Sequence, residues 1–476
     1  VETRRVDVAV IGSGTAGLNA RREAHKAGAS VVMIESGLYG TTCARVGCMP
    51  SKLLIAGADA AHHVAHADRF GIKAESWSID GPAVLERVRR ERDRFVGFVV
   101  EDTEALPEDQ RIRGHARFVG PNTLEVGDHT RLEAGAVVIA TGSTPFIPPP
   151  FDAVREHVMI NDDVFELEQL PESLAVVGMG IIGLELGQAL SRLGVDVTFF
   201  AASDRIGPVS DPQVKTVVRQ VFENGLDLHL NTRIAAATVE DGGMRLRWHG
   251  ENGSNEGVFE RVLVAAGRRP NMADLGLENT GLMLDEHGMP LWNRRTTQCG
   301  DLPIFLAGDV AAHRPLLHEA SDEGRIAGAN AAGYPEVLGH IRRTPLSVVF
   351  SDPQIAIAGC SHEELNPDEM AIGEVSFFDQ GRARVMGENR GIVRIYADRK
   401  TCRLAGAEMF GPRMEHMAHL LSWAVAQDMS VHRALQMPFY HPVMEEGLRA
   451  ALRDLAKQLD IIGECRPEEH STAPGC

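Results

Sequence analysis

Val6-Asp7-Val8-Ala9-Val10-Ile11-Gly12-Ser13-Gly14-Thr15-Ala16-Gly17 sets the frame for the whole chain. Its first six residues are mostly apolar and β-branched, which predicts a strand. Leu18 to Ala27 has helical composition and stops at Gly28. Val31-Val32-Met33-Ile34 predicts a second strand, ending at Glu35. Between strand and helix the first glycine permits a tight turn, and the second lets backbone approach a pyrophosphate. The third lets helix and strand pack closely. A helix start also offers N–H groups and partial positive charge to phosphates. Glu35 lies 23 residues after Gly12, where a carboxylate can accept hydrogen bonds from a ribose.

The pattern recurs. Ser173 to Val177 reads as a strand, followed by Gly178-Met179-Gly180-Ile181-Ile182-Gly183. Leu184 to Leu193 reads as a helix, and Val195 to Phe200 as the next strand. The two units start 166 residues apart, too far for a short-period repeat, and predict two separate dinucleotide domains. In the second unit the same count of 23 lands on Ala201, with Ala202 beside it and Asp204 and Arg205 displaced. That unit does not announce NAD over NADP; NAD is expected, with NADP left open. Val137 to Gly142 and Leu263 to Arg268 are matching late markers of the two units. Pro145 and Pro148-Pro149-Pro150 predict a stiff linker between them. Beyond residue 340 the glycine fingerprints stop. Strands at 347–350 and 391–396 and helices at 414–425 and 445–459 predict an α+β module.

At 476 residues the chain has room for about three domains. Lys+Arg number 48 against 66 Asp+Glu, a net charge of −18, which argues against a broad interface with nucleic acid. No apolar run approaches the roughly 18 residues of a membrane span. Seven sparse cysteines argue against a secreted disulfide framework, and a cytoplasmic protein is expected. Cys43 and Cys48 stand apart from the rest, in Gly40-Thr41-Thr42-Cys43-Ala44-Arg45-Val46-Gly47-Cys48-Met49-Pro50-Ser51-Lys52. Residues five apart on a regular helix rise about 7.5 Å and point apart. A bond between this pair would therefore need a distorted turn, for which Gly47 and Pro50 are suited. Two buried thiols or part of a metal site are the alternatives. No second Cys/His pair stands nearby to complete a zinc tetrad, and no metal is expected.

The run Thr42-Cys43-x4-Cys48-Met49-Pro50-Ser51-Lys52 resembles the redox signature of the class I pyridine nucleotide–disulfide oxidoreductases. Four more stretches resemble that family in order. They are Leu263 to Asn271 with Gly267, Ile304 to Asp309, Ser351-Asp352-Pro353, and His441-Pro442-x3-Glu446. Within the family the chain looks most like the dihydrolipoyl dehydrogenases. Ile181 and the stretch Leu404 to Pro412 favour that branch.

The resemblance implies an α/β fold with two Rossmann-like domains, for FAD and NAD(P), and a C-terminal α+β dimerisation domain. The expected boundaries are 1–150 for FAD, 151–271 for NAD(P), 272–341 for a return to the central domain, 342–464 for the interface, and 465–476 for a frayed tail. It implies a redox disulfide between Cys43, the interchange thiol, and Cys48, the thiol against the flavin. His441 would accept the proton, oriented by Glu446 rather than Glu445, and would reach its site from the partner in a homodimer with shared active sites. Lys52 would approach the flavin and pair with Glu185. Gly12, Gly14, Gly17, Glu35, Thr42, Ala116, Thr141, Gly142, Asp309 and Leu317 would serve FAD. Gly178, Gly180, Ile182, Gly183, Ala201 and Gly267 would serve NAD. The expected reaction is oxidation of a carrier protein's lipoyl dithiol, or of a small dithiol. The alternatives are an NADPH-dependent reductase of another small disulfide, such as glutathione, and a non-turnover redox subunit of a larger complex. Three residues depart from the family: Thr41 stands for a usual Gly, Arg45 for a usual Asn, and Val443 for a usual Thr. Cys465 and Cys476 are expected to be surface thiols, and Cys299, Cys360 and Cys402 inert.

Overall fold

A computed structural model describes residues 2–251 and 253–459. The tail cysteines Cys465 and Cys476 lie outside the described residues. The chain divides into two compact units. Of the described residues, the first holds those up to Ala58, Ser78–Pro171 and Leu263–Arg342, and the second holds the others, through 459.

The first unit is built on a sheet in which Glu2–Ile11 lies between Val31–Glu35 and Thr130–Ile139, parallel to both. Arg111–Arg113 extends it in parallel on one side. On the other side Ile304–Leu306 joins in parallel and Thr123–Val126 with Ala116–Gly120 in antiparallel. Val8, Ala9 and Val10 are fully buried, as a central strand covered on both faces demands. The first strand runs back to Glu2 instead of starting at Val6, because Glu2 to Arg5 pair with Thr130 to Glu133. Helix Thr15–Lys26 packs on helix Leu317–Gly333 at its small residues. A Cβ on Gly324 would meet the Ala16 carbonyl oxygen at 2.2 Å, so only glycine allows this approach. The predicted linker is part of this unit. Ser143–Pro145 pairs with Arg268–Pro270, and Pro149–His157 forms a 3₁₀ helix that buries Phe151 completely. Proline at a helix start uses a position whose N–H needs no partner, so the run folds where sequence composition suggests a spacer.

The second unit contains the parallel strands Ser173–Val177, Asp196–Phe200 and Asp227–His229, with helix Ile181–Arg192 after the first. Arg233–Glu240, Gly243–Gly250 and Gly253–Phe259 form an antiparallel sheet. A five-stranded antiparallel sheet runs Leu346–Val349, Gln354–Gly359, Leu404–Gly411, Ile392–Asp398, Met370–Ser376. Helices Met414–Ala426 and Glu446–Gln458 close it over a core that includes Val393, Ile395, Met409, Met417 and Leu455. A buried polar network ties the glycine-turn part of this unit to the five-stranded sheet. Glu408 accepts from the Ser210 and Asp211 amides at 2.7 and 2.9 Å, and Asp211 accepts from Arg394 and Tyr396 at 2.8 and 2.9 Å. Asp211 and Glu408 are fully buried, which is tolerable because their lone pairs are taken. Among the described residues no helix is long and apolar enough to cross a membrane.

Candidate active site

The first glycine turn is held by its backbone. Gly12 has φ +108° and donates to the Ile34 carbonyl at 2.8 Å, and the Ala140 amide donates to Ile11 at 2.8 Å. A Cβ on Gly12 would lie 2.3 Å from the Ala140 oxygen, and one on Gly17 would lie 1.9 Å from the Gly12 oxygen. The helix therefore begins at Thr15, before the predicted Leu18, with Gly17 already in its first turn. Gly14 caps it without a side-chain hydrogen bond and has open space where its Cβ would be. Glu35 accepts from the Ser13 amide and hydroxyl, both at 2.8 Å, and from the Gly37 amide at 2.7 Å.

These groups face a cavity of about 840 Å³. Gly12, Gly14, Glu35, Thr42, Ala116, Thr141 and Gly142 all line it. Asp309 is joined to that wall through Ser143, whose hydroxyl donates to its carboxylate at 2.9 Å. Lys52 and Leu317 are not among the lining residues; Leu317 opens helix Leu317–Gly333. The site also contains residues that sequence reasoning did not assign. Ser13 sits inside the fingerprint at a variable position. Ser143, Arg155 and Asp162 carry no local pattern that marks them. Arg45 lines the cavity too, with its guanidinium donating to the Tyr39 carbonyl at 3.2 Å. The cavity fits a flavin dinucleotide: it is large, and it offers a helix start for a diphosphate and a carboxylate for a sugar.

Beside it, helix Thr42–Val46 stops at Gly47 (φ −129°, ψ −118°), and helix Cys48–Ala65 begins at once. A Cβ on Gly47 would stand 3.0 Å from the Thr42 oxygen, so the break is close-packed. It does what a regular helix cannot and brings Cys48 into hydrogen-bond contact with Cys43. That contact pushes the Cys43 pKa up first, burial adds to the rise, and the Lys52 charge opposes both. Thr41, with φ +52°, holds a backbone conformation that suits glycine, and its hydroxyl accepts from the Ala44 amide at 3.3 Å. By contrast Cys299 is wholly buried, and burial pushes its thiol up to about 12.

In the second unit His441 Nδ1 lies 3.0 and 3.2 Å from the two carboxylate oxygens of Glu446. Glu446 also accepts from the Val443 amide at 3.2 Å and begins helix Glu446–Gln458, where partial positive charge favours it. Its carboxyl is held below its ordinary value, chiefly by the bond to His441. The imidazole is 81% exposed. Glu185 is buried and accepts from the Phe350 amide at 2.9 Å.

The second glycine turn repeats the first in backbone. Gly178 has φ +116° and donates to Phe200 at 2.8 Å, and a Cβ on Gly183 would lie 1.9 Å from the Gly178 oxygen. Its helix likewise starts early, with Ile181, Ile182 and Gly183 in the first turn. Ala201 occupies the place that Glu35 has in the first unit, but it is buried and its amide donates to His229 at 3.0 Å. Gly267, in the first unit, accepts from the Phe146 amide at 2.9 Å.

Two family matches cover most of the chain. Residues 6–324 match the pyridine nucleotide-disulphide oxidoreductase family, and residues 346–452 match its dimerisation domain. A dihydrolipoyl dehydrogenase of Haloferax volcanii is 32% identical over 469 residues, covering 95% of this chain and 96% of its own. Dihydrolipoyl dehydrogenase 3 of Pseudomonas aeruginosa is 33% identical over 471 residues, covering 94% and 97%. Among solved structures, LpdA of Mycobacterium tuberculosis aligns with a TM-score of 0.80 at 25% identity, covering 95% and 99%. The HOCl-induced flavoprotein disulfide reductase RclA of Escherichia coli shares the fold, with a TM-score of 0.78 at 23% identity and coverage of 95% and 99%. The chain belongs to the pyridine nucleotide–disulphide oxidoreductase family, as an FAD- and NAD(P)-dependent oxidoreductase of sulfur groups with that family's dimerisation domain.

Proposed function

We propose that the chain is a dihydrolipoyl dehydrogenase, oxidising the dithiol of a carrier-bound lipoyl group with NAD⁺. The observation that carries this reading is the contact of Cys43 with Cys48 across the break at Gly47. Two sulfurs so placed can close a short strained bridge, which is more easily reduced than a structural one. The relatives named dihydrolipoyl dehydrogenase, about a third identical over nearly full length, support the choice of substrate.

In this reading a lipoyl thiolate attacks Cys43 of the Cys43–Cys48 disulfide, and Cys48 leaves as the thiolate. His441 takes the proton of the second lipoyl thiol. The new thiolate attacks the mixed disulfide, the lipoyl disulfide forms, and Cys43 leaves with its electron pair. The pair of cysteines has then gained two electrons and the lipoyl group has lost two. Bound here, FAD would supply the two-electron carrier between dithiol and nicotinamide. Glu35 with Ser13, Thr42, Ala116 and the Gly12 turn would hold FAD, and the Gly178 turn would hold the nicotinamide dinucleotide. Lys52, one helical turn beyond Cys48, stabilises thiolate in its neighbourhood, since its charge lowers the Cys43 pKa. Glu446 fixes the tautomer of His441 and stabilises its charged form, leaving the other ring nitrogen to act. The exposure of His441 suits a base offered to a partner subunit, and a homodimer with shared sites is part of the proposal. So are a cytoplasmic location and the expected order of FAD, NAD(P), central and interface segments, with 151–171 and 263–271 packed in the first unit.

The test is a matrix of steady-state assays: dihydrolipoamide with NAD⁺ and NADP⁺, and glutathione disulfide with NADH and NADPH. Turnover of dihydrolipoamide is expected. Turnover of glutathione disulfide alone overturns the proposal.

A further inference from the structure

The helix break between Cys43 and Cys48 sets the Val46 carbonyl apart from its neighbours. On one side the Thr41 carbonyl accepts from the Arg45 amide at 3.1 Å, and on the other the Gly47 carbonyl accepts from the Ser51 amide at 3.1 Å. Val46 lies between them and ends its helix. In an unbroken helix residue 50 would give it an amide, but residue 50 is a proline and has no N–H. A donor arrives from far along the chain instead. Asn161 Nδ2 reaches the Val46 carbonyl at 2.7 Å, across 115 positions.

The surroundings of Asn161 make it face one way. It is buried, at the start of helix Asn161–Val164. Nδ2 also donates to the Asp162 carboxylate at 2.8 Å, and Oδ1 lies 3.5 Å from the Arg268 guanidinium. A flipped amide would set its oxygen against a carbonyl and a carboxylate. Arg268 is fixed in turn, donating to the hydroxyl and the carbonyl of Ser143 at 2.8 and 2.7 Å. Burial raises the Asp162 pKa, and the charges of Arg268 and Arg45 oppose that rise.

We propose that Asn161 is a positioning residue for the redox pair. By holding the Val46 carbonyl it fixes the break that keeps Cys48 against Cys43, and so favours the disulfide over the dithiol. Loosening the turn frees two unbonded sulfurs more than two bonded ones, so it stabilises the dithiol. This rests on the reading of Cys43 and Cys48 as the redox pair.

Anaerobic equilibration of the FAD-loaded protein in dithiothreitol redox buffers tests it without turnover, at about pH 8, well above the carboxylate range. There the S–S bond takes two electrons and two protons from dithiothreitol and opens to two thiols, while dithiothreitol closes to its own disulfide. The state of the pair is read by alkylation and mass of the peptide that carries both cysteines. Asn161→Asp keeps the size and turns the donor into an acceptor facing the Val46 carbonyl. It is expected to shift the equilibrium about tenfold towards the dithiol, a rise of about 30 mV. Asn161→Ala removes the donor without adding repulsion and is expected to shift it about threefold the same way. A residue that only fills space would give the reverse order, with the aspartate variant near the parent and the alanine variant furthest from it, and that order overturns the proposal. Should the aspartate variant fail to fold, the alanine variant decides alone, and no shift in it overturns the proposal. If the parent pair never closes to a disulfide, the reading of the redox pair falls as well; if it closes and both variants titrate as the parent does, only the proposal falls.

Discussion

The glycine turns at Gly12 and Gly178 have nearly the same backbone and different surroundings. Their φ angles are +108° and +116°, their amides reach the neighbouring strand at the same 2.8 Å, and a Cβ on Gly17 or Gly183 would meet the same obstacle at 1.9 Å. Around the first lie Ser13 and Glu35; at the matching places around the second lie Met179 and Ala201. The backbone of such a turn addresses what all dinucleotides share, a diphosphate. Side chains address what distinguishes them, the sugar and its substituents. On the proposed assignment the same backbone serves two cofactors, and the choice is left to a few residues beyond it.

The most damaging way to test that equivalence is to fill the space each turn needs empty. Gly17→Ala is expected to abolish FAD retention, seen as loss of flavin absorbance in the purified protein. Gly183→Ala is expected to leave flavin in place and abolish NAD⁺ binding by titration. In both a methyl group would sit inside a carbonyl oxygen's radius. Loss of both cofactors from either variant would mean that the turns are not independent.

A second experiment separates the sulfur chemistry beside the first turn from the base in the second unit. Cys43→Ser and His441→Gln are each expected to lower dithiol oxidation by at least about 100-fold. Coexpressed and purified as mixed dimers, they are expected to recover about half the sites' activity if each site takes its cysteines from one chain and its imidazole from the other. No recovery would refute the shared site.

Smaller losses come from the side chains that orient. Glu35→Gln keeps the shape and removes the charge that Ser13 and Gly37 address. It is expected to weaken FAD by about tenfold, the scale of a charge-assisted hydrogen bond, read by flavin dissociation. Glu446→Gln is expected to lower kcat by about tenfold, since the carboxylate no longer fixes the ring of His441. In the unmodified chain the Glu446 pKa is lowered from 4.5. Its contribution is therefore complete above that value and is lost as pH falls through the depressed one. An unchanged kcat would remove Glu446 from its orienting role.

The smallest effect is expected at Thr41. Thr41→Gly relieves a positive φ but discards the cap on Ala44, two terms of about 1 kcal/mol each and opposite sign. A melting temperature within a few degrees of the parent is the expected outcome.

Much of the site could be read along the chain because its chemistry is local. The glycine spacing, the cysteine pair with Gly47 between them, and His441 with Glu446 five positions on all lie within short windows. The structure adds the contacts within those windows: a helix break that lets Cys48 meet Cys43, and a carboxylate within 3.0 Å of the imidazole. Ser143 and Asp162 were not legible because they reach the cavity from a segment whose prolines suggest a spacer. The helix starts were read three residues late at both turns, because Gly17 and Gly183 look like turn residues and act as helical ones.

By itself the sequence determined the glycine turns, the cysteine pair and the pairing of His441 with Glu446, since each depends on residue types at fixed short spacings. Only the tertiary structure decided that Glu35 is clasped by Ser13 while Ala201 is closed to a ribose, and that the proline segment folds into the first unit. The physical reason is that hydrogen-bond partners and burial are set by whichever distant strand or loop arrives alongside, and no local spacing encodes that arrival.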